Sequence, residues 1–262
     1  MNFKMFAGFG ILLLVVYISA PALAVKVIDE DFNKPTENFT YNGSAIQQIP
    51  PGVVLLTQVV QWQAGSLFFN TPYDVSAFKA RFDFGMGKGT GADGLTFAVL
   101  DSAVSDPTSL GGLGIDLGYG GLSGFAIEFD TWDNEVIDNY SENHVGVDTN
   151  GSVASIFINS DIPELEDSPG KFSAIVFCQN GNIKVFLRNR QLSYPLTKVV
   201  DFTLPDFVAF KGYFGFTAGT GAATNYHLID NFSLDIPPMI SNAPTKNPAS
   251  TATTWGDLKK RE

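Results

Sequence analysis

The chain has 262 residues, with 16 Lys and Arg against 27 Asp and Glu, a formal net charge of −11 and a pI near 4.5. It is 45% hydrophobic and 13% aromatic, too apolar for a disordered chain and long enough for one large β domain or two small ones. The acidic balance speaks against nucleic acid and anionic membranes as partners, since both need clustered Lys and Arg, and the single cysteine, Cys178, excludes a disulfide framework and thiolate-held metals.

Residues 1–24 carry Lys4, an apolar stretch from Phe6 to Ile18, and then Pro21-Ala22-Leu23-Ala24. A basic start, a short apolar core and an Ala-x-Ala end describe a cleavable secretory signal. The apolar stretch is short for a membrane span, which needs roughly 20 residues. The expected location is therefore secreted, extracellular or periplasmic, with no membrane span after cleavage.

Beyond Ala24 no segment keeps a 3.6-residue apolar period, and alternation of period two recurs instead. Val53 to Val60 is the first expected strand. In Phe78 to Phe84, Phe78, Ala80, Phe82 and Phe84 share one face and the charges take the other. Leu95 to Leu100, Phe125 to Thr131 and Ser152 to Ile158 follow. Phe172 to Cys178 and Ile183 to Leu187 flank Gln179-Asn180-Gly181-Asn182, where Asn-Gly suits a tight hairpin. Tyr213 to Ala218 and His227 to Asp235 complete the set. Short strands separated by Gly- and Pro-rich turns predict an all-β sandwich or barrel over 25–235. From Ile236 the composition turns to Pro, Ser, Thr, Asn and Ala, so 236–262 is read as a tail with little structure, Trp255 and Leu258 included. Cys178 reads as a small buried hydrophobe.

The acidic segment from Glu128 to His144 carries the most chemistry. In a strand, Glu128 and Asp130 project from one face while Phe129 points to the other. Two such carboxylates repel and are costly to bury unless a cation joins them. Asn134, Asp138 and a main-chain carbonyl near Trp132 could complete an oxygen-rich shell, which suits Ca²⁺. His144 adds a nitrogen, which suits a transition ion such as Mn²⁺. An exposed acidic turn beside a satisfied histidine is the plain alternative.

This run resembles the metal-binding segment of the legume-type (L-type) lectins. The family's pattern is met at Glu128, Asp130, Thr131, Trp132, Asn134, Asp138, His144, Gly146 and Asp148, with Asn139 as a substitute for Asp138. Ala92-Asp93-Gly94-Leu95-Thr96-Phe97, the glycine loop Gly111-Gly112-Leu113-Gly114, and Tyr213 to Gly221 with His227 resemble three further family segments, in order. Weaker echoes lie at Asp31-Phe32-Asn33, Leu55-Leu56-Thr57 and Gly65 to Phe69.

The resemblance implies a concanavalin-like β-sandwich (jelly roll) of antiparallel sheets. It implies metal-dependent binding of glycans or glycoconjugates at a shallow loop site beside Ca²⁺ and Mn²⁺, without enzyme activity. Asp93 would accept from sugar hydroxyls, Asn134 would donate its amide, and Gly112 would offer its N–H. Trp132 would present a flat apolar face. Ala222 and Ala223, being small, would leave one wall open. The metals would take Glu128, Asp130, Trp132 through its main chain, Asn134, Asp138 and His144. A cis Ala92–Asp93 bond is expected, as the family has one before its binding aspartate. The glycine loop continues as Ile115 to Gly121, richer in glycine than the usual plant pattern. The tail has no counterpart, and a homo-oligomer stays open.

Two rivals come from other classes. A glycoside hydrolase on the same sandwich would use Glu128 and Asp133 as its paired carboxylates, though Asp133 stands one methylene short of the glutamate that role takes. A secreted adhesive module would have kept the fold and lost the sugar site, but Asp93 and Asn134 are both present. Read alone, Asp93-Gly94 is a turn, Gly111 to Gly121 a flexible loop and Trp132 a core or edge aromatic. His227 reads as structural. Sequons occur at Asn38, Asn42, Asn139, Asn150 and Asn231.

Overall fold

The computed structural model describes residues 24–237. The expected signal and the tail after Pro237 lie outside the described residues. The strands are β1 Val25–Glu30, β2 Phe39–Gly43, β3 Ile46–Gln48, β4 Val53–Thr57, β5 Ala64–Phe69, β6 Tyr73–Asp74, β7 Ala77–Gly87 and β8 Gly94–Asp101. There follow β9 Gly124–Asp130, β10 His144–Thr149, β11 Ser152–Asn159, β12 Phe172–Gln179, β13 Asn182–Asn189, β14 Tyr194–Thr203, β15 Lys211–Gly219 and β16 Tyr226–Ile236. A 3-10 turn at Gly114–Asp116 is the only helical piece among the described residues.

Two eight-stranded antiparallel sheets face each other. One runs β14-β13-β12-β7-β16-β4-β3, with β1 also on β16; the other runs β11-β10-β9-β8-β15-β5-β2, with β6 on β15. Neighbours in each sheet are mostly distant in sequence, as in a jelly roll. The alternation in β7 does what it predicts: Phe78, Ala80, Phe82 and Phe84 are buried, and Arg81 is exposed. Their rings meet the facing sheet, Phe82 against Phe216 at 4.8 Å, Phe84 against Phe129 at 4.5 Å and Phe78 against Phe214 at 5.0 Å. Each buried phenyl contributes about 2 kcal/mol, so the Phe layer dominates the core. Cys178 sits in this layer, its thiol pushed up to about 11 by burial.

The β12–β13 hairpin turns at Asn180-Gly181, both with positive φ, as the sequence requires. Elsewhere the strand bounds shift. β4 ends at Thr57 rather than Val60, because Thr57 Oγ1 turns to His227 Nδ1 at 2.6 Å and the Gln58 N–H donates to Gln63 Oε1 at 2.8 Å. Residues 58–63 therefore form a loop. Ile236 pairs with Val25, so the last strand outruns the expected boundary at 235 by one residue. β1, β2, β3, β5, β6, β10 and β14 were not among the expected strands; β10 in particular is buried throughout His144–Asp148 and shows no two-sided pattern.

Candidate functional site

The site grows from the outer face of the β11-β10-β9-β8-β15 sheet. In β9, Phe125, Ile127 and Phe129 enter the core. Glu128 and Asp130 take the opposite face, as period two demands. Register brings their partners: His144 lies opposite Asp130, and Gly146 opposite Glu128. Ligand atoms of Glu128, Asp130 and His144 all fall within 4.8 Å of one another, and all three residues are buried. His144 Nε2 stands 3.1 Å from Glu128 Oε1.

Gly146 is needed for this closeness. A Cβ there would collide with Glu128 Oε1 and with Ser155 Oγ. Ser155 Oγ lies 2.5 Å from Glu128 Oε1 and 2.8 Å from Asp148 Oδ1. One hydroxyl hydrogen cannot serve two ionised carboxylates, so the cluster is short of positive charge. Burial pushes the Glu128 carboxyl up to about 7, and it holds Asp130 and Asp148 well above the carboxylate range, each further raised by Glu128. Burial lowers His144.

Asp138 joins from the loop after β9. It is buried, accepts from the Asn134 N–H at 2.5 Å, and is raised first by burial. It lies outside the compact Glu128–Asp130–His144 group. Asn139 is exposed with φ 52°, so Asp138, not Asn139, is the side chain turned inward. Asn134 Oδ1 is buried without a hydrogen-bond partner. The Trp132 N–H donates to Asp130 Oδ1 at 2.7 Å, which closes the turn after the strand. Buried acceptors with no donor, and no Lys or Arg paired to them among the described residues, fit a hard cation with one nitrogen ligand.

Asp93 is suspended from this cluster. Its carbonyl accepts from both the N–H and the Oγ1 of Thr131, each at 2.9 Å, and Thr131 follows Asp130 directly. The Ala92–Asp93 bond is cis, as expected. Asp93 Oδ2 is buried and unpartnered, and burial pushes the carboxyl up to about 6. Gly221 lies against this carboxylate, and Gly114 against both.

The glycine loop differs from expectation. The Gly112 N–H already donates to Gly120 O at 3.3 Å, and Asp116 fills the space a Gly112 side chain would take. Gly114, with φ 59°, is the glycine beside Asp93. The loop is pinned from below, where Thr217 Oγ1 donates to Leu117 O at 2.7 Å and Tyr119 is wholly buried on Phe68 and Ala126.

Trp132 and the Ala222–Ala223 wall have neighbours that the sequence did not indicate. Trp132 is 40% exposed and lines a cleft of about 570 Å³ with Asp133, Glu142, Glu164, Glu166 and Asp167; Asp93 does not line it. The wall at Ala222 and Ala223 is not simply open, because Gln61 Nε2 donates to Ala222 O at 2.6 Å and the 58–63 loop lies along it. The paired carboxylates of a hydrolase are not formed. Glu128 is buried and held by His144 and Ser155, whereas Asp133 is exposed and bonded to the Glu135 N–H. Sequence reasoning missed Ser155 and the 58–63 loop, which have no local signal, and within the glycine loop chose Gly112 rather than Gly114; Ser155 gains its place only through the β10–β11 pairing.

The comparison that decides the family is with the legume lectin domain, whose model matches residues 29–250. The chain belongs to this family. A putative L-type lectin-domain containing receptor kinase I.1 of Arabidopsis thaliana is 26% identical over 238 residues, which is 80% of this chain and 34% of that protein. This lectin-domain chain thus spans about a third of the length of that relative. Among solved structures, basic winged bean lectin with Tn-antigen has a TM-score of 0.63 at 23% identity, covering 81% of this chain and 98% of that one. The exoplasmic/lumenal domain of VIP36, in a form bound to Ca²⁺ and Man, has a TM-score of 0.62 at 19% identity, covering 78% and 85%. At these identities the structures establish the fold. Among the described residues no helix is long and apolar enough to cross a membrane.

Proposed function

We propose that this protein is a metal-dependent lectin that binds a glycan on the loops around Asp93. The observation that supports the reading is the Thr131 link: Asp93, its buried Oδ2 without a hydrogen-bond partner, hangs on the residue that follows the candidate metal ligand Asp130. Glu128, Asp130, Asp138 and His144 would hold Mn²⁺ or a similar ion, and Asp130, Asn134, Asp138 and the Trp132 carbonyl would hold Ca²⁺. The bound ions supply the positive charge that the buried carboxylates lack. The protein's own groups do the recognition. Asp93 accepts from sugar hydroxyls. Asn134, its Oδ1 turned inward, keeps its amide N–H groups for the ligand. Gly114 and Gly221 leave room beside Asp93 for a ring to approach. No bond is broken in this role. The signal-like composition of residues 1–24 supports an extracellular or lumenal setting for this binding.

A glycan array probed with protein spanning 25–262 in Ca²⁺ plus Mn²⁺, and again after EDTA, tests the reading. Binding is expected to vanish with EDTA and with Asp93→Ala. Binding that survives both would sink it.

A further inference from the structure

Trp62 is a large exposed apolar side chain on the loop that borders the proposed sugar site. It is 62% exposed, and its neighbours Val59 and Val60 are exposed as well. Its backbone lies in the left-handed region, φ 58°, which bulky L residues rarely adopt. A tryptophan in a strained conformation usually recovers the cost by burial. This one does not, since its indole remains in water.

The strain is held by a zip of hydrogen bonds to the wall of the Asp93 pocket. The Trp62 N–H donates to Gly221 O at 3.1 Å, and Gln61 Nε2 to Ala222 O at 2.6 Å. The Gln63 N–H donates to Thr220 Oγ1 at 2.9 Å, the Thr220 N–H to Gln63 O at 2.8 Å, and Thr220 Oγ1 to Val60 O at 2.8 Å. Gln58 and Gln63 close the base of the loop on each other. Gly221, which accepts from Trp62, is the residue that lies against the Asp93 carboxylate. The loop is thus part of the pocket wall, and it carries an exposed indole on the residue whose N–H is bonded to Gly221. Trp132 lines the acidic cleft together with Gly91 and Thr131.

We infer that Trp62, with Val59 and Val60, forms a second subsite that stacks the saccharide unit linked to the sugar held at Asp93. This rests on the lectin reading above. The occupant is a pyranose rather than a protein patch, because the loop that carries Trp62 is hydrogen-bonded to Gly221, the residue against the Asp93 carboxylate. A pyranose also offers an apolar C–H face to an indole while its hydroxyls stay in water. The preferred ligand is then an oligosaccharide rather than a single terminal sugar.

The test is calorimetric titration of the full chain in Ca²⁺ plus Mn²⁺. The two ligands are the methyl glycoside of the best terminal sugar on the array and the disaccharide that ends in it. The disaccharide should bind wild type about ten-fold more tightly. Trp62→Ala should bind both ligands equally, with the methyl glycoside affinity of wild type. Trp62→Phe should keep most of the preference, and unchanged melting temperatures should show that both variants fold. The subsite is overturned if Trp62→Ala keeps the disaccharide preference, if it weakens both ligands alike, or if wild type binds the methyl glycoside with no preference at all. If wild type binds no glycan in any form, the lectin reading itself fails and the subsite falls with it.

Discussion

Single atoms decide the chemistry here, and Gly146 is the sharpest case. A methyl group at that position would push on Glu128 and Ser155 together, with no flexible end that can give way without breaking their contact. Gly146→Ala should therefore fold yet lose metal affinity by about ten-fold or more, the scale seen when groups supporting metal ligands are lost. Titration with Mn²⁺ followed by calorimetry measures this. His227 makes a different prediction. It is fully buried opposite Thr57, and burial alone lowers it from 6.5 to about 3. The folded protein keeps it neutral, so below 6.5 the unfolded chain binds more protons, and stability falls as pH drops from 6.5 towards 3. The melting temperature should decline across that window. His227→Gln should remove part of that decline while leaving the pH dependence above about pH 8 unchanged, since His227 is neutral there in both states. An identical acid slope in both proteins would show that His227 contributes nothing.

Elements place these residues. β9 and β10 share a register that puts His144 over Asp130 and Gly146 over Glu128, so a slip of one residue would turn the whole cluster into the Phe core. The β12–β13 hairpin sets the register of the opposite sheet through two residues of positive φ. Gly181 has φ 81°, and an added Cβ would lie 2.6 Å from Phe207. Gly181→Ala should cost about 1–2 kcal/mol by strain and contact, lowering the melting temperature by several degrees. Glycan binding by the folded fraction should not change, because the turn belongs to the other sheet. Loss of binding at full folding would break the assignment of the site to the Asp93 loops.

At the scale of the molecule, the two sheets enclose a Phe core, while one outer face gathers buried carboxylates without a Lys or Arg partner among the described residues. Metal removal should therefore loosen the site without unfolding the sandwich. EDTA is expected to lower the melting temperature by an amount that grows with free metal, about 2.7 kcal/mol of stabilisation being lost when the metal had stood at 100 times its Kd. Scanning calorimetry with and without EDTA reads this, alongside far-ultraviolet circular dichroism, which should retain the β signal at room temperature. Unfolding on chelation would mean that the metal is part of the core.

Much of this was legible in the chain. The alternation Phe78 to Phe84, the Asn180-Gly181 turn and the spacing from Glu128 to His144 are local patterns, and local patterns are set by backbone geometry that a sequence carries with it. Ser155, Gly114 and Trp62 were not legible. Each acquires its role from a residue far along the chain: Ser155 from Glu128, Gly114 from Asp93 and Gly221, Trp62 from Gly221. Val59 and Val60 read as strand because alternation and β-branching favour it, and only the departure of Thr57 towards His227 turned them into a loop. Residue order therefore determined the sandwich, its Phe core and which carboxylates share a face beside His144. Tertiary structure alone decided which glycine meets Asp93, which aromatic borders the pocket and which hydroxyl reaches the buried carboxylates, because those contacts depend on how distant loops pack rather than on any pattern within them.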